Sequence, residues 1–286
     1  ANLLWFSKSI IPYILPRFNS YTTTKTFIQI RSVVPEQGKT TYRYVMTYRN
    51  KCYFDYRLLD IITESLDSWR REGRRCIWFN VHINDAEWIP LLAKNGFNFH
   101  HSKDNSLLLY KWLPTDSSSN LPPAPHTNLG VGGLVFNKNN QILVVQEKHF
   151  AVSHWKLPGG YVEKDIQDAA IREVKEETGI DAIFESLVTF RHTHNMGFGS
   201  SDIYVVVNMQ ATSEIINRCM TEISDCKWVD VEEYLQDPNV IDFNRFILKE
   251  ALELRKKNLK LNLVKSTVTV GKFSRQVNAL VVNVGK

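Results

Sequence analysis

The chain has 286 residues, enough for one large domain or two small ones. Hydrophobic content of 43% and aromatic content of 12% suffice for a packed core, and no apolar run approaches the ~18 residues that cross a bilayer, so no membrane span is expected. The net charge of +5 does not mark a general polyanion binder. Lys8, Arg17, Lys25 and Arg31 precede Glu36 with no acid among them and carry all but one of those charges, so nucleic acid is not expected as a partner.

That acid-free opening, residues 1–35, is rich in Ser and Thr and has the composition of a mitochondrial transit segment; an ordinary cytoplasmic N-terminus is the alternative. Pro12 and Pro16 would interrupt a long amphipathic helix there. The four cysteines, Cys52, Cys76, Cys219 and Cys226, form neither a CxxC pair nor a zinc spacing and read as free thiols of a reducing compartment.

Residues 40–113 read as a small α+β module. Leu58, Leu59, Ile62, Leu66 and Trp69 recur at helical spacing before Gly73. "RCIWFNVHI" is a strand candidate, and "DAEWIPLLAKNGF" a second helix from Asp85 to Gly96, with Pro90 tolerable only in its first turn. "SLLLYKWL" is a further strand. This helix–strand–helix–strand order resembles half of an acetyltransferase-like fold, without a phosphate-binding glycine loop. A structural or interactive role, including a homodimer interface, is expected of it. Residues 114–128, "PTDSSSNLPPAPHTN", read as a partly extended linker with nothing to build a core.

Residues 129–260 alternate strands and helices. "GVGGLVFNKNNQILVVQE" gives two strands turned at Asn139 and Asn140, followed by strand-like "FESLVTFRHTH" and "DIYVVVNMQA". "CKWVDVEEYLQD" runs from strand into helix, and "VIDFNRFILKEALELRKKN" is a helix. The fold class expected is α/β, an α/β/α sandwich around a mixed sheet. The tail, 261–286, has no evident place in it.

The chemistry concentrates in "LPGGYVEKDIQDAAIREVKEETGI", Leu157–Ile180. On a helix starting near Asp165, Glu173, Glu176 and Glu177 fall at i, i+3 and i+4, and Ala170, Ile171 and Val174 face a sheet. Three carboxylates on one turn repel one another unless a divalent cation offsets their charge, and Mg²⁺ or Mn²⁺ prefers such oxygen ligands. Arg172 can hold one carboxylate in place. Gly159 and Gly160 allow close approach of a loop, and Gly179 a sharp helix end.

The stretch resembles the Nudix box: Gly, five residues, Glu, seven residues, Arg-Glu, apolar, any, Glu-Glu, any, Gly, apolar. "REVKEETGI" matches every fixed position of its second half. The first half departs. Eleven residues lie between Gly160 and Arg172 where the family has thirteen, as though a Gly-Glu pair were missing between Lys164 and Asp165, and with it the first Glu of the box. Glu163 or Asp165 is the expected replacement. The module with "WRREGRRCIWFNV" and "LLAKNGFNFHH" is similar to the domain preceding the Nudix domain in the nucleoside diphosphate-linked moiety X motif six subfamily, whose plant relatives hydrolyse ADP-ribose and NADH. The resemblance implies a metal-dependent pyrophosphohydrolase of ADP-ribose or NADH, a small nucleotide diphosphate substrate, and Mg²⁺ or Mn²⁺ as cofactor. It implies catalytic roles for Arg172, Glu173 and Glu176, and metal ligation by Glu173, Glu176, Glu177 and Glu222. Gly159, Gly160 and Phe198, in the loop "RHTHNMGFGSSD", would contact substrate, with His192 or His194 near phosphate; Trp155 reads as core. A nucleotide-binding regulator with a weakened box and a capped-RNA hydrolase are the alternatives.

Overall fold

Two strands open the described part of the chain, β1 (Thr26–Glu36) and β2 (Lys39–Arg49), paired antiparallel. The computed structural model describes residues 26–36, 39–49, 57–149, 152–271 and 273–284; it divides the chain into two units, Ala1–Pro125 and His126–Lys286. The hairpin enters the segment read as a leader: Gln29–Val33 of β1 pair with β3 (Cys76–His82). Residues 1–25 of that segment, Cys52 and the side chains of Leu58 and Leu59 lie outside what can be described. Helix α1 (Arg57–Arg71) buries Ile62, Leu66 and Trp69, the spacing of a helix stripe, against Ile77, Phe79 and Val81 of β3. A 3₁₀ turn, Ile83–Asp85, precedes α2 (Trp88–Lys94), so Asp85 is buried in that turn and does not cap the helix, while Pro90 sits in the first turn of α2. Strands β4 (Asn98–Lys103) and β5 (Ser106–Trp112) complete a five-stranded sheet in the order β2-β1-β3-β5-β4.

The linker is less idle than its composition suggested. Leu121 packs on the cluster formed by Cys76 and Trp78, Trp112 Nε1 donates to the Ser117 carbonyl at 2.9 Å, and His100 Nε2 lies 3.2 Å from the Pro122 carbonyl. Residues 114–125 thus lie on their own module, and Thr127 and Asn128 already belong to the next strand. Buried beneath them, the Cys76 thiol is pushed up to about 12 by desolvation. Cys76, Cys219 and Cys226 are free.

In the second unit β6 (Thr127–Phe136) and β7 (Gln141–Glu147) flank a turn closed by the Asn137 side chain, whose Oδ1 accepts from the Asn139 and Gln141 amides at 2.9 Å each. Then follow β8 (Gly159–Tyr161), α3 (Ile166–Thr178), β9 (Ala182–Thr193), β10 (Ser201–Ala211) and β11 (Ile223–Asp230). Helices α4 (Val231–Gln236) and α5 (Asp242–Lys256) come next. The sheet runs β11-β7-β6-β10-β9 and continues into β12 (Leu259–Val270) and β13 (Phe273–Val284), with β8 paired to β6. Parallel pairing of β6 with β10 makes it a mixed sheet. Val131, Val135 and Leu143 face Ala169, Ala170 and Val174 of α3, whereas Leu134, Phe136 and Val144 face Tyr234 of α4 and Ile247, Leu248 and Ala251 of α5, so the unit is an α/β/α sandwich. Trp155 is buried in the second of these cores, as expected. The tail that had no evident place is the β12–β13 hairpin, joined to β9 by the pairing of Leu261 with Leu187. Among the described residues no helix is long and apolar enough to cross a membrane.

Candidate active site

Helix α3 begins and ends on local signals. Asp165 is its N-cap, with Oδ1 accepting from the Gln167 amide at 3.0 Å, and Gly179, at φ +76°, ends it in the left-handed region. Its sheet-facing side is Ala169, Ala170 and Val174; Ile171, expected there, is partly exposed.

The three acids of the helix have three different environments. Glu177 is 6% exposed, and its carboxylate accepts from the Gly159 amide at 2.9 Å. Burial pushes its pKa up to about 7, against the pull of Lys156 and of that hydrogen bond. The Glu173 carboxylate lies against Gly160, where any Cβ would come within 2.5 Å of it. Glu176 is mostly exposed. Arg172 reaches both of the last two, at 2.8 Å to Glu173 and 2.9 Å to Glu176, and also donates to the Tyr161 carbonyl at 3.1 Å. This corrects the picture of one turn of mutually repelling carboxylates: one guanidinium pairs with two of them and offsets one of their two charges, and burial favours the neutral form of the third.

Glycine is required at 159 for a separate reason. A Cβ there would stand 2.1 Å from the Val131 carbonyl, because β8 lies directly on β6. The same closeness aims the Gly159 amide at Glu177.

Glu222 arrives from the turn before β11, which is tied to both neighbours. The Lys148 amide donates to the Glu222 carbonyl at 2.8 Å, and the Cys219 amide to the Glu177 carbonyl at 2.9 Å. Glu222, Glu177, Glu147 and His149 consequently line one cleft. Lys156 pairs with Glu147 at its edge. Glu147, His149 and Lys156 escaped the sequence reading. Glu147 closes an apolar strand and nothing local marks it; its pairing with Ile223 and the tie between Lys148 and Glu222 set it beside the other cleft acids.

The donors are carboxylate oxygens, the chemistry that suits Mg²⁺ or Mn²⁺. Among the described residues no three acidic, histidine or cysteine side chains stand together to hold an ion in this arrangement, since Arg172 draws Glu173 and Glu176 to itself. The Arg172–Glu176 pair is a surface one, worth about 0–1 kcal/mol. Little opposes its opening, and in donor chemistry alone, carboxylate oxygens on one helix, the set suits a divalent cation.

Asp165, one candidate for the missing acid of the box, is engaged at both oxygens. One of its oxygens caps α3 and the other accepts from Asn278 Nδ2 at 3.0 Å. Glu163 is exposed in the bend before it. Phe198 is fully exposed at the tip of the β9–β10 loop, with φ +58°. That loop returns where Ser201 pairs with Thr127. Gly132, opposite Gly159, lies five residues further along β6, roughly 17 Å at ~3.3 Å per residue. His192 and His194 pack edge to face at 4.4 Å on the same strand end, and His194 Nδ1 lies 3.1 Å from Ser201 Oγ.

Fold and site together define a class: an α/β/α protein whose acid-bearing helix is set against a di-glycine strand. The NUDIX domain model matches residues 126–249, and the Nudix hydrolase domain model matches residues 45–113. Nudix hydrolase 8 of Arabidopsis thaliana is 36% identical over 190 residues, covering 65% of this chain and 52% of that protein. Nucleoside diphosphate-linked moiety X motif 6 of Xenopus laevis is 41% identical over 150 residues, covering 51% of this chain and 69% of that protein. Among solved structures, the MutT protein of Methanosarcina mazei Go1 aligns with 21% identity and a TM-score of 0.41, over 46% of this chain and 98% of that one. The chain belongs to the Nudix hydrolase family, and it spans about half the length of the Arabidopsis protein. The match at 45–113 gives the first module a Nudix-associated identity; the acetyltransferase likeness has no support of this kind.

Proposed function

We propose that the chain hydrolyses the diphosphate of nucleoside diphosphate-linked compounds, with Mg²⁺ or Mn²⁺ as cofactor and ADP-ribose or NADH as substrate, releasing AMP and a second phosphate. One observation carries the reading: the Arg172–Glu173–Glu176 clamp stands beside Glu177, whose carboxylate is fixed to the glycine strand by the Gly159 amide. The substrate class is supported by the name of the Xenopus relative, which specifies a nucleoside diphosphate-linked moiety.

In this reading Arg172 orients Glu173 and Glu176, and the absence of side chains at 159 and 160 leaves the strand open to a diphosphate. Glu177, pushed up to about 7 by burial in the metal-free chain, is the carboxylate whose ionisation a nearby cation would favour most. A bound Mg²⁺ or Mn²⁺ would supply positive charge to the diphosphate and make water more acidic; Glu173, Glu176, Glu177 and Glu222 are the residues that would hold it. A second reading, nucleotide binding without turnover, is favoured by the two-residue gap of the box. A turnover screen of the purified chain against ADP-ribose, NADH, NAD, coenzyme A and capped RNA, with each metal, decides between them. Metal-dependent release of AMP supports hydrolysis, while nucleotide affinity with no product in any metal overturns it.

Mitochondrial delivery belongs to the same proposal, supported by the acid-free, cation-bearing composition before Glu36. A reporter fused behind residues 1–35 should co-localise with mitochondria, and a diffuse cytosolic signal would count against it.

A further inference from the structure

The β12–β13 hairpin lies wholly beyond residue 249, where the family model ends. Its root is anchored. Leu261 pairs with Leu187, and Leu261 and Leu263 pack on the core that holds Ala169, Ala170 and Val174 of α3. Further out most of its side chains are exposed. The hairpin also returns to the site: Asn278 Nδ2 donates to Asp165 Oδ2 at 3.0 Å while Asp165 Oδ1 caps α3 through the Gln167 amide, and Lys265, the cross-strand partner of Asn278, attracts the same carboxylate. Asp165 is also the first residue after the two-residue gap of the box.

We infer that Asn278 is a positioning residue for the acid helix: the hairpin clasps Asp165 at the shortened turn and so fixes where α3 starts. The start of α3 sets the placement of Glu173, Glu176 and Glu177 two to three turns later. A box that lacks two residues has lost the longer loop that would otherwise set this register, and the clasp supplies the constraint from outside the family core. This inference rests on the proposed metal-dependent function only where it concerns the acids; the clasp itself does not.

The chemistry of the pair gives a test that simple damage to the hairpin would not reproduce. N278D sets a second carboxylate against Asp165 and breaks the bond. D165N keeps an N-cap oxygen, since Asn caps about as well as Asp, and the amide of Asn278 can turn to accept. The double variant D165N/N278D restores a bond of reversed direction, the amide at 165 donating to the carboxylate at 278. Two readouts on the full chain are taken: hydrogen exchange of the first-turn amides, residues 167–170, and titration with Mn²⁺ alone. N278D is expected to speed exchange about 2- to 3-fold, less than a lost cap because Asp165 Oδ1 still accepts from the Gln167 amide, and to weaken Mn²⁺ binding about 2- to 5-fold, since Asn278 acts on the acids only through the start of the helix. D165N should stay near the parent, and the double variant should recover both. Unchanged exchange in N278D, or no recovery in the double variant, overturns the clasp. Altered exchange with unchanged Mn²⁺ affinity overturns its role in placing the acids. A parent that binds no Mn²⁺ overturns the functional proposal, and the exchange pattern then judges the clasp by itself.

Discussion

Replacing Glu177 by Gln should stabilise the metal-free chain, and only above acidic pH. The carboxyl is carried from its ordinary 4.5 to about 7 because it is buried. A raised folded value means that its contribution is fully present below about 4.5 and is lost as pH rises through about 7. The full difference corresponds to about 3 kcal/mol. A Gln side chain keeps an oxygen for the Gly159 amide and has no charge to desolvate. Urea unfolding in excess chelator should therefore show parent and Glu177→Gln nearly equal at pH 5. At pH 8 the variant should be more stable, by about 1–3 kcal/mol. Saturating Mg²⁺ at pH 8 should reverse the order: ligand at 100 times its Kd adds about 2.7 kcal/mol to a chain that binds it, and the variant has lost a ligand. A difference independent of pH, or a variant less stable at pH 8 without metal, would refute the assignment of Glu177 as a buried, reluctantly ionised carboxylate.

Glu176→Gln should lose most hydrolysis while its metal-free stability stays within about 0.5 kcal/mol of the parent, because Glu176 is exposed and only a surface ion pair is removed; activity within a few-fold of the parent would remove it from the ligand set. Alanine at the two glycines should separate fold from function. Gly159→Ala drives a Cβ into the Val131 carbonyl, a backbone atom, and should lower the melting temperature sharply. Gly160→Ala meets the Glu173 side chain first, which can turn aside where a backbone carbonyl cannot, so melting should change less while metal-dependent turnover falls; equal melting losses in the two variants would contradict this.

What the sequence disclosed about this chain was what local signals encode. Helix α3 was legible because Asp165, the Ala169–Ala170 pair and Gly179 each act within a few residues. The turn at Asn137–Asn140 was legible for the same reason. The β12–β13 hairpin was not, although Val264, Val268 and Val270 are strand formers. Most of its side chains are exposed, so the inside–outside alternation that marks a half-buried strand is missing. The absence of acids before Glu36 drew attention to targeting and away from β1, whose partners in β3 lie some fifty residues downstream. At the site, the identity of the acids was readable and their states were not. That Arg172 holds two of them while Glu177 is buried depends on how closely β8 approaches β6, which no spacing within the box records.

The missing pair of the box can be restored. Inserting Gly-Glu between Lys164 and Asp165 adds two residues to a bend whose flanking side chains, Glu163 and Lys164, are exposed, so the loop can grow outward at small entropic cost. Asp165 remains next to Ile166 and keeps its cap. Both of its oxygens are engaged, by Gln167 and Asn278, so it does not compete with the new carboxylate for a cation. A lost metal-supporting group commonly costs roughly 10- to 100-fold in activity, and the Gly-Glu insertion should raise turnover of ADP-ribose by that order. Gly-Ala at the same place lengthens the loop without the charge and should gain much less. Equal gains from the two insertions would assign the deficit to loop length and dismiss the carboxylate. A parent already as fast as the Gly-Glu form would mean that the site is complete without it, with the cleft acids Glu147 and Glu222 the groups to replace next. If all three proteins bind ADP-ribose and none releases AMP, the chain is a binder, and restoring the box does not restore an enzyme.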